Sequence, residues 1–189
     1  MQEKEVKACI KRVIEMNDHA AFAQLVDAHK NRVYNLCLKM TRSTENAEEV
    51  AQDTFLKTYQ SIRTFQGKSK FSTWLYTITY YTCLNYLRKN TVETVALLNW
   101  DAADDSEEVI GNLQTVERKE YLQKAFNYLT AEEAALLTLF YLEEHTIQEI
   151  ETITKLSKAS VKVKLHRTRK KLFGVLNALL KEEVTSLLH

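Results

Sequence analysis

Residues 146–172, TIQEIETITKLSKASVKVKLHRTRKKL, decide the fold of this chain. Thr146 with Glu149 fits the S/T-x-x-E capping box, so a short helix starts there. A break of four to five residues follows, and a longer helix opens near Ser157 with Val161, Leu165, Leu172, Leu176 and Leu179 on one face. This second helix is basic: positions 155–171 carry eight Lys or Arg and no acid. A short capped helix, a turn and a cationic helix make a helix-turn-helix, whose second helix lies in the major groove with its N-terminal residues against base edges. Ser157, Lys158, Ala159, Ser160, Lys162 and Lys164 occupy that end. Arg167, Arg169, Lys170 and Lys171 follow, where phosphate contacts are expected.

The same helical signals extend outward. Thr130 with Glu133 forms a second capping box. Tyr121, Leu122, Ala125, Phe126 and Leu129 resume periodicity before it, and Phe22, Leu25, Val26, His29, Val33, Leu36, Cys37 and Met40 follow i, i+3, i+4, i+7 spacing near the N-terminus. Ser43 and Thr44 start a helix expected over about 46–64, and another is expected over about 72–89. Three glycines and no proline in 189 residues leave too few turn formers for hairpins. The expected class is all-α: two small helical domains, residues 1–90 and 118–189, joined by an acidic linker over 91–117. That linker carries seven Asp or Glu and no base, and Val95, Leu97, Leu98 and Trp100 are its apolar members.

The net charge of +1 conceals this segregation. Positions 54–90 carry six Lys or Arg without an acid, and hold nine of the eighteen aromatic residues. Cations (Lys57, Arg63, Lys68, Lys70, Arg88, Lys89) interleave with rings, the combination single-stranded nucleic acid requires: bases stack on aromatic faces while phosphates demand charge. Most of these rings are expected in the core, with two or three partly exposed.

The motifs carry a resemblance. FQGKSKFSTWLY (65–76), within residues 21–90, is similar to region two of extracytoplasmic-function RNA polymerase sigma factors, and SVKVKLHRTRKKL (160–172), within 129–173, resembles the end of region four of the same family. The resemblance implies a sigma-70-family protein that binds core RNA polymerase at its clamp and flap regions, directs promoter recognition and opens the strands. It implies −35 readout by Ser157, Lys158, Ser160, Lys162, Lys164, His166, Arg167, Arg169 and Lys170. It implies −10 contacts by Lys68, Ser69, Lys70, Ser72, Thr73, Trp74, Thr77, Tyr81 and Arg88, in duplex and single-stranded promoter DNA. NAEEVAQDTFLKTY (46–59) resembles the clamp-docking helix, giving Glu49, Gln52, Asp53 and Leu56 as polymerase contacts. An anti-sigma factor is the further implied partner. This chain departs from the family pattern at Thr130, where proline is usual, at Tyr81 (asparagine), Asn85 (aspartate), Glu151 (a small residue) and Lys155 (the turn glycine).

Other functional classes find less support. The five histidines are scattered without metal-ligand spacing, and no glycine loop could cradle phosphate, so no catalytic residue, metal or cofactor is expected. Cys9, Cys37 and Cys83 are widely spaced among apolar neighbours, as reduced core thiols of a cytoplasmic protein would be. No run approaches the ~18 apolar residues of a membrane helix, and MQEKEVKACIKR lacks a signal core. From the residues alone two alternatives stay open: a dimeric helix-turn-helix regulator, and a degenerate sigma-like protein that does not itself support initiation.

Overall fold

A computed structural model describes residues 1–90 and 115–187. The described residues are helical, with no strand among them. Helix α1 (Glu3–Met16) precedes the periodicity quoted above and buries Val6, Cys9, Ile10 and Val13 from one stripe. Its end is joined to the next start by one carboxylate. Asp18 Oδ1 accepts the Ala21 amide at the start of α2, while Oδ2 accepts Arg12 Nε and Nη2 at 2.9 and 2.6 Å. Those two partners, amide and guanidinium, hold the Asp18 carboxyl below its ordinary range.

Helix α2 (His19–Thr41) buries Leu25, Val33, Leu36, Cys37 and Met40. Helix α3 (Thr44–Ser61) begins at Ser43, whose hydroxyl accepts the Asn46 amide, as the sequence suggests. It ends three residues before the expected Thr64, because Ile62–Thr64 tightens into a 3-10 turn. The turn delivers the chain to a loop with Gly67 at φ 68°, a conformation glycine adopts without a Cβ penalty. Helix α4 (Phe71–Lys89) follows.

Helix α4 is buried on more than one side: Phe71, Thr73, Leu75, Tyr76, Thr79, Tyr80, Thr82 and Cys83 are all inside. Tyr81, Asn85 and Arg88 stay exposed along its remaining side. Of its buried hydroxyls, Thr79 Oγ1 donates to the Leu75 carbonyl at 2.9 Å, while Thr73 Oγ1 has no partner among the described residues. Cys37 and Cys83 face each other across α2 and α4 with sulfurs 3.7 Å apart, and all three cysteines are free thiols.

The C-terminal unit comprises α5 (Thr115–Phe126), α6 (Ala131–Leu137), α7 (Ile147–Thr154) and α8 (Lys158–Leu187). Helix α5 opens within the span expected as linker; the rest of that span, with Val95, Leu97, Leu98 and Trp100, lies outside the described residues. Both capping boxes form: the Thr130 and Thr146 hydroxyls accept the Glu133 and Glu149 amides, and each glutamate accepts the threonine amide in return. Thr130 therefore starts α6 without proline.

Helix α6 continues into a π turn, Thr138–Leu142. Glu144 then adopts φ 53°, reversing the chain so that Glu143 and His145 point back into the protein. The break between α7 and α8 is three residues, Lys155–Ser157, shorter than expected, because Lys155 takes the left-handed C-cap conformation (φ 61°, ψ 15°) and turns the chain at once. Ser157 caps α8 through the Ser160 amide.

The two units share one core. Leu25, Leu36, Leu75 and Tyr76 of the N-terminal unit join Leu129, Leu136, Leu139, Ile150, Ile153 and Val161 in a continuous apolar cluster. Helix α7 lies against α4, and α6 against α2. A smaller cluster of Tyr121, Ala125, Val175, Leu176 and Leu180 joins α5 to the C-terminal half of α8.

Candidate nucleic-acid interface

The first candidate surface is the N-terminal half of α8. Val161 and Leu165 anchor it in the core, which turns Lys162 and Val163 outward. Ser157, Lys158, Lys162, His166, Arg167, Arg169 and Lys170 are exposed, while Ser160 and Lys164 are half-buried. Lys164 turns toward α6, where its ammonium meets Glu132 at 3.1 Å. Lys171, less exposed still, pairs with Glu133 at 2.8 Å. Two cations of this helix, Lys164 and Lys171, are thus paired with carboxylates of α6. Val163, an apolar side chain 48% exposed, sits among the exposed residues.

The second surface lies on α4 and the loop before it. Lys68 and Lys70 are exposed, Ser69 and Ser72 half-buried. Trp74 is half-buried, packed beside Phe65 and Phe71 with ring centroids 5.3 and 5.8 Å away. Of the nine rings in 54–90, Phe71, Tyr76 and Tyr80 are buried, while Tyr81 is 37% exposed and the other five are intermediate, more than the two or three expected. Thr73 faces the core with 1% exposure, so its side chain is turned away from this surface. Thr77 is half-buried, its hydroxyl donating to the Thr73 carbonyl at 2.9 Å. Arg88, at the far end, donates to Asn85 Oδ1 at 3.0 Å.

The third surface is on α3. Glu49, Gln52, Asp53 and Leu56 share one face by spacing, and all four are exposed. Leu56 stands out, a leucine 62% exposed beside acids. The Tyr86 hydroxyl, from α4, reaches Asn46 Oδ1 at 3.0 Å and Glu49 Oε2 at 3.2 Å, orienting the first residue of this face.

Residues of α7 and of the turn before it cover the second surface. Glu149 Oε1 meets Lys70 Nζ at 3.0 Å. Burial pushes the Glu149 carboxyl up, but the Thr146 amide and the Lys70 ammonium outweigh it and hold the group at about 2. The Tyr81 hydroxyl donates to the Thr154 carbonyl at 3.2 Å. The Tyr76 hydroxyl donates to Glu143, and the His145 ring meets Tyr76 edge-on with centroids 4.8 Å apart. Burial lowers the His145 pKa, so the imidazole is neutral near pH 7. Only the Glu149 capping box was visible in the sequence; its contact with Lys70, 79 positions away, carries no local signal.

Among the described residues no cluster of His, Cys, Asp and Glu could hold a metal ion, and no helix is long and apolar enough to cross a membrane.

Comparison with known proteins adds to this geometry. The family model for Sigma-70 region 2 matches residues 25–92, and that for Sigma-70, region 4 matches residues 119–172. The chain is 30% identical over 183 residues to the ECF RNA polymerase sigma factor SigW of Bacillus subtilis, covering 90% of this chain and 96% of that protein. A second relative, the ECF RNA polymerase sigma-E factor of Haemophilus influenzae, is 40% identical over 81 residues, 43% of this chain and 42% of its own. Among solved structures, CnrH in complex with the cytosolic domain of CnrY aligns over 93% of this chain and 97% of its own, with a TM-score of 0.63 at 18% identity. RpoE in complex with the anti-sigma factor NepR from Bartonella quintana aligns over 82% and 96%, with a TM-score of 0.63 at 20% identity.

Proposed function

Because this chain belongs to the extracytoplasmic-function sigma-70 family, and as a sigma factor directs RNA polymerase to promoters, we propose that its three candidate surfaces divide that work. The exposed cations and hydroxyls of α8, from Ser157 to Lys170, read the −35 duplex. The loop Lys68–Lys70 with Ser72, Trp74, Thr77, Tyr81 and Arg88 holds the −10 strand. Glu49, Gln52, Asp53 and Leu56 dock on the polymerase clamp. The observation that carries the reading is the cationic, solvent-facing start of α8 directly after a capped helix and a three-residue turn.

The chemistry follows from these groups. Lys and Arg on α8 release counterions from phosphates, and the serines near its start are short enough to meet base edges. A base freed from the duplex loses stacking, which an aromatic ring beside the strand restores at ~1–3 kcal/mol per base. Trp74, half-buried and braced by Phe65 and Phe71, is the ring we assign to that role. Thr73 is left out of the strand contacts, since its side chain is in the core.

No residue is given a catalytic role; bond making belongs to the polymerase. We place the protein in the cytoplasm with that enzyme. CnrH and RpoE are each seen bound to CnrY or NepR, and we infer that this chain too is held by an anti-sigma partner.

Run-off transcription with core polymerase on a library of upstream fragments tests the reading. Transcripts sharing two spaced elements are expected with the protein and not without it. Polymerase binding without such transcripts would replace it with a non-initiating role.

A further inference from the structure

We propose that the turn between α6 and α7 is an internal stand-in for DNA: Glu143 and Glu149 hold the α4 surface in a closed form, and a single strand competes with them for the same groups. The proposal rests on the assignment of that surface to the −10 strand.

Three polar contacts join α4 and the loop before it to the turn and α7, and each involves a group that a strand would use or a neighbour of one. Lys70 Nζ lies 3.0 Å from Glu149 Oε1. The Tyr81 hydroxyl is spent on the Thr154 carbonyl at 3.2 Å. Tyr76, one turn before Tyr80 on the inner side of α4, donates to Glu143 Oε2 at 2.6 Å, and Arg32 Nε approaches the same oxygen at 3.7 Å. Carboxylate and phosphate oxygens accept from the same ammonium, guanidinium and hydroxyl donors, so the two anions are interchangeable partners here.

Geometry supports the exchange. Lys70 and Arg32 are 63% and 66% exposed in their side chains even when paired, so water and a strand can reach them while the turn is closed. Glu149 uses its other oxygen on the Thr146 amide, so it can release Lys70 and still cap α7. The turn itself is bent by a π segment and by Glu144 at positive φ, a backbone state that costs energy in a residue with a Cβ. Opening parts the apolar contacts of α7 with α4 and exposes α4, while the cap at Thr146 and the turn at Lys155 lie within the C-terminal unit itself.

The test uses the full chain and a fluorescent single-stranded oligonucleotide of mixed sequence. The variant E143Q/E149Q keeps both shapes, and Gln at position 149 can still close the capping box. E144Q/E151Q makes the same charge change at neighbouring carboxylates with no bond to α4. Anisotropy is expected to show about tenfold tighter binding for E143Q/E149Q and none of that gain for E144Q/E151Q. Small-angle scattering reads the closed form independently: a compact chain of this length has a radius of gyration of about 16 Å. That radius is expected to grow in E143Q/E149Q, and in the unaltered protein when the strand is added. A larger radius without tighter binding would overturn the assignment of α4 to the strand. An unchanged radius would overturn the latch itself, and an equal gain in E144Q/E151Q would reduce it to net charge.

Discussion

The Tyr76 hydroxyl donates a 2.6 Å hydrogen bond to Glu143 Oε2, joining residues 67 positions apart in the chain. Tyr76 is 2% exposed and the Glu143 side chain 5%, so neither has ready access to water in exchange. A buried carboxylate that loses its donor keeps its desolvation cost, and bonds to charged groups contribute ~1.5–3 kcal/mol. Y76F should therefore lower stability by about 2 kcal/mol, or about 4–8 °C in melting temperature for a chain of this size. Calorimetry on the full chain checks this; a change under 1 °C would mean that Glu143 is already satisfied by Arg32.

His145 makes the closed form acid-sensitive. Burial lowers its pKa most, and Lys70 adds to this, while Glu149 and Glu143 oppose it. The Tyr76 ring packs on one side, and Nε2 is buried with no acceptor among the described residues. A histidine with a lowered folded pKa binds fewer protons folded than unfolded, so its contribution is complete above about pH 6.5 and is lost as pH falls below it. Urea midpoints should fall between pH 7.5 and 5.5, and H145Q should shrink that difference. His29, whose pKa is also lowered by burial, leaves a remainder in the variant. Glu149 acts in a separate window: its contribution holds above its usual carboxylate range and is lost as pH drops toward about 2.

Lys155 sits at φ 61° with an exposed side chain, in a conformation where the Cβ crowds the following carbonyl. K155G should raise stability by about 1 kcal/mol, because glycine adopts that state freely and the side chain contributes no buried contact. Thermal melting measures it. A lower melting temperature would show that the lysine has a partner outweighing the backbone cost.

On α8 the structure separates cations that the sequence treats alike. K162A and R167A should each weaken duplex binding nearly uniformly across sequences and reduce the slope of log affinity against log salt by about one. K164A should change the slope less, because Glu132 already neutralises Lys164 at 3.1 Å. Salt titrations with the holoenzyme would decide it, and equal slopes for all three would place Lys164 on phosphate after all.

Leu56, 62% exposed, gives the cleanest separation of binding from stability. L56A should leave the melting temperature unchanged, since exposed substitutions fall within about 0.5 kcal/mol. It should weaken core polymerase binding about tenfold if the side chain fills a pocket there. Undiminished affinity would remove α3 from the clamp.

Local signals determined much of this protein. The capping boxes at Thr130 and Thr146, the Ser43 cap and the apolar stripe of α8 were legible because each depends on residues within about four positions of one another. The charge segregation likewise placed the cationic start of α8 and the aromatic α4 without coordinates. Helix α1 is masked in the sequence by its density of charge, although Val6, Cys9, Ile10 and Val13 form a stripe there. The direction of Thr73 into the core and the pairing of Lys164 with Glu132 needed the structure, because a side chain's partner is set by which helix packs alongside. The same holds for the shared core, in which α7 covers α4. Its contacts, Tyr76 with Glu143 and Lys70 with Glu149, join positions brought together only by packing two units that each look self-sufficient in sequence. Periodicity reports that a helix has a face to bury; the shape of its neighbours decides against what.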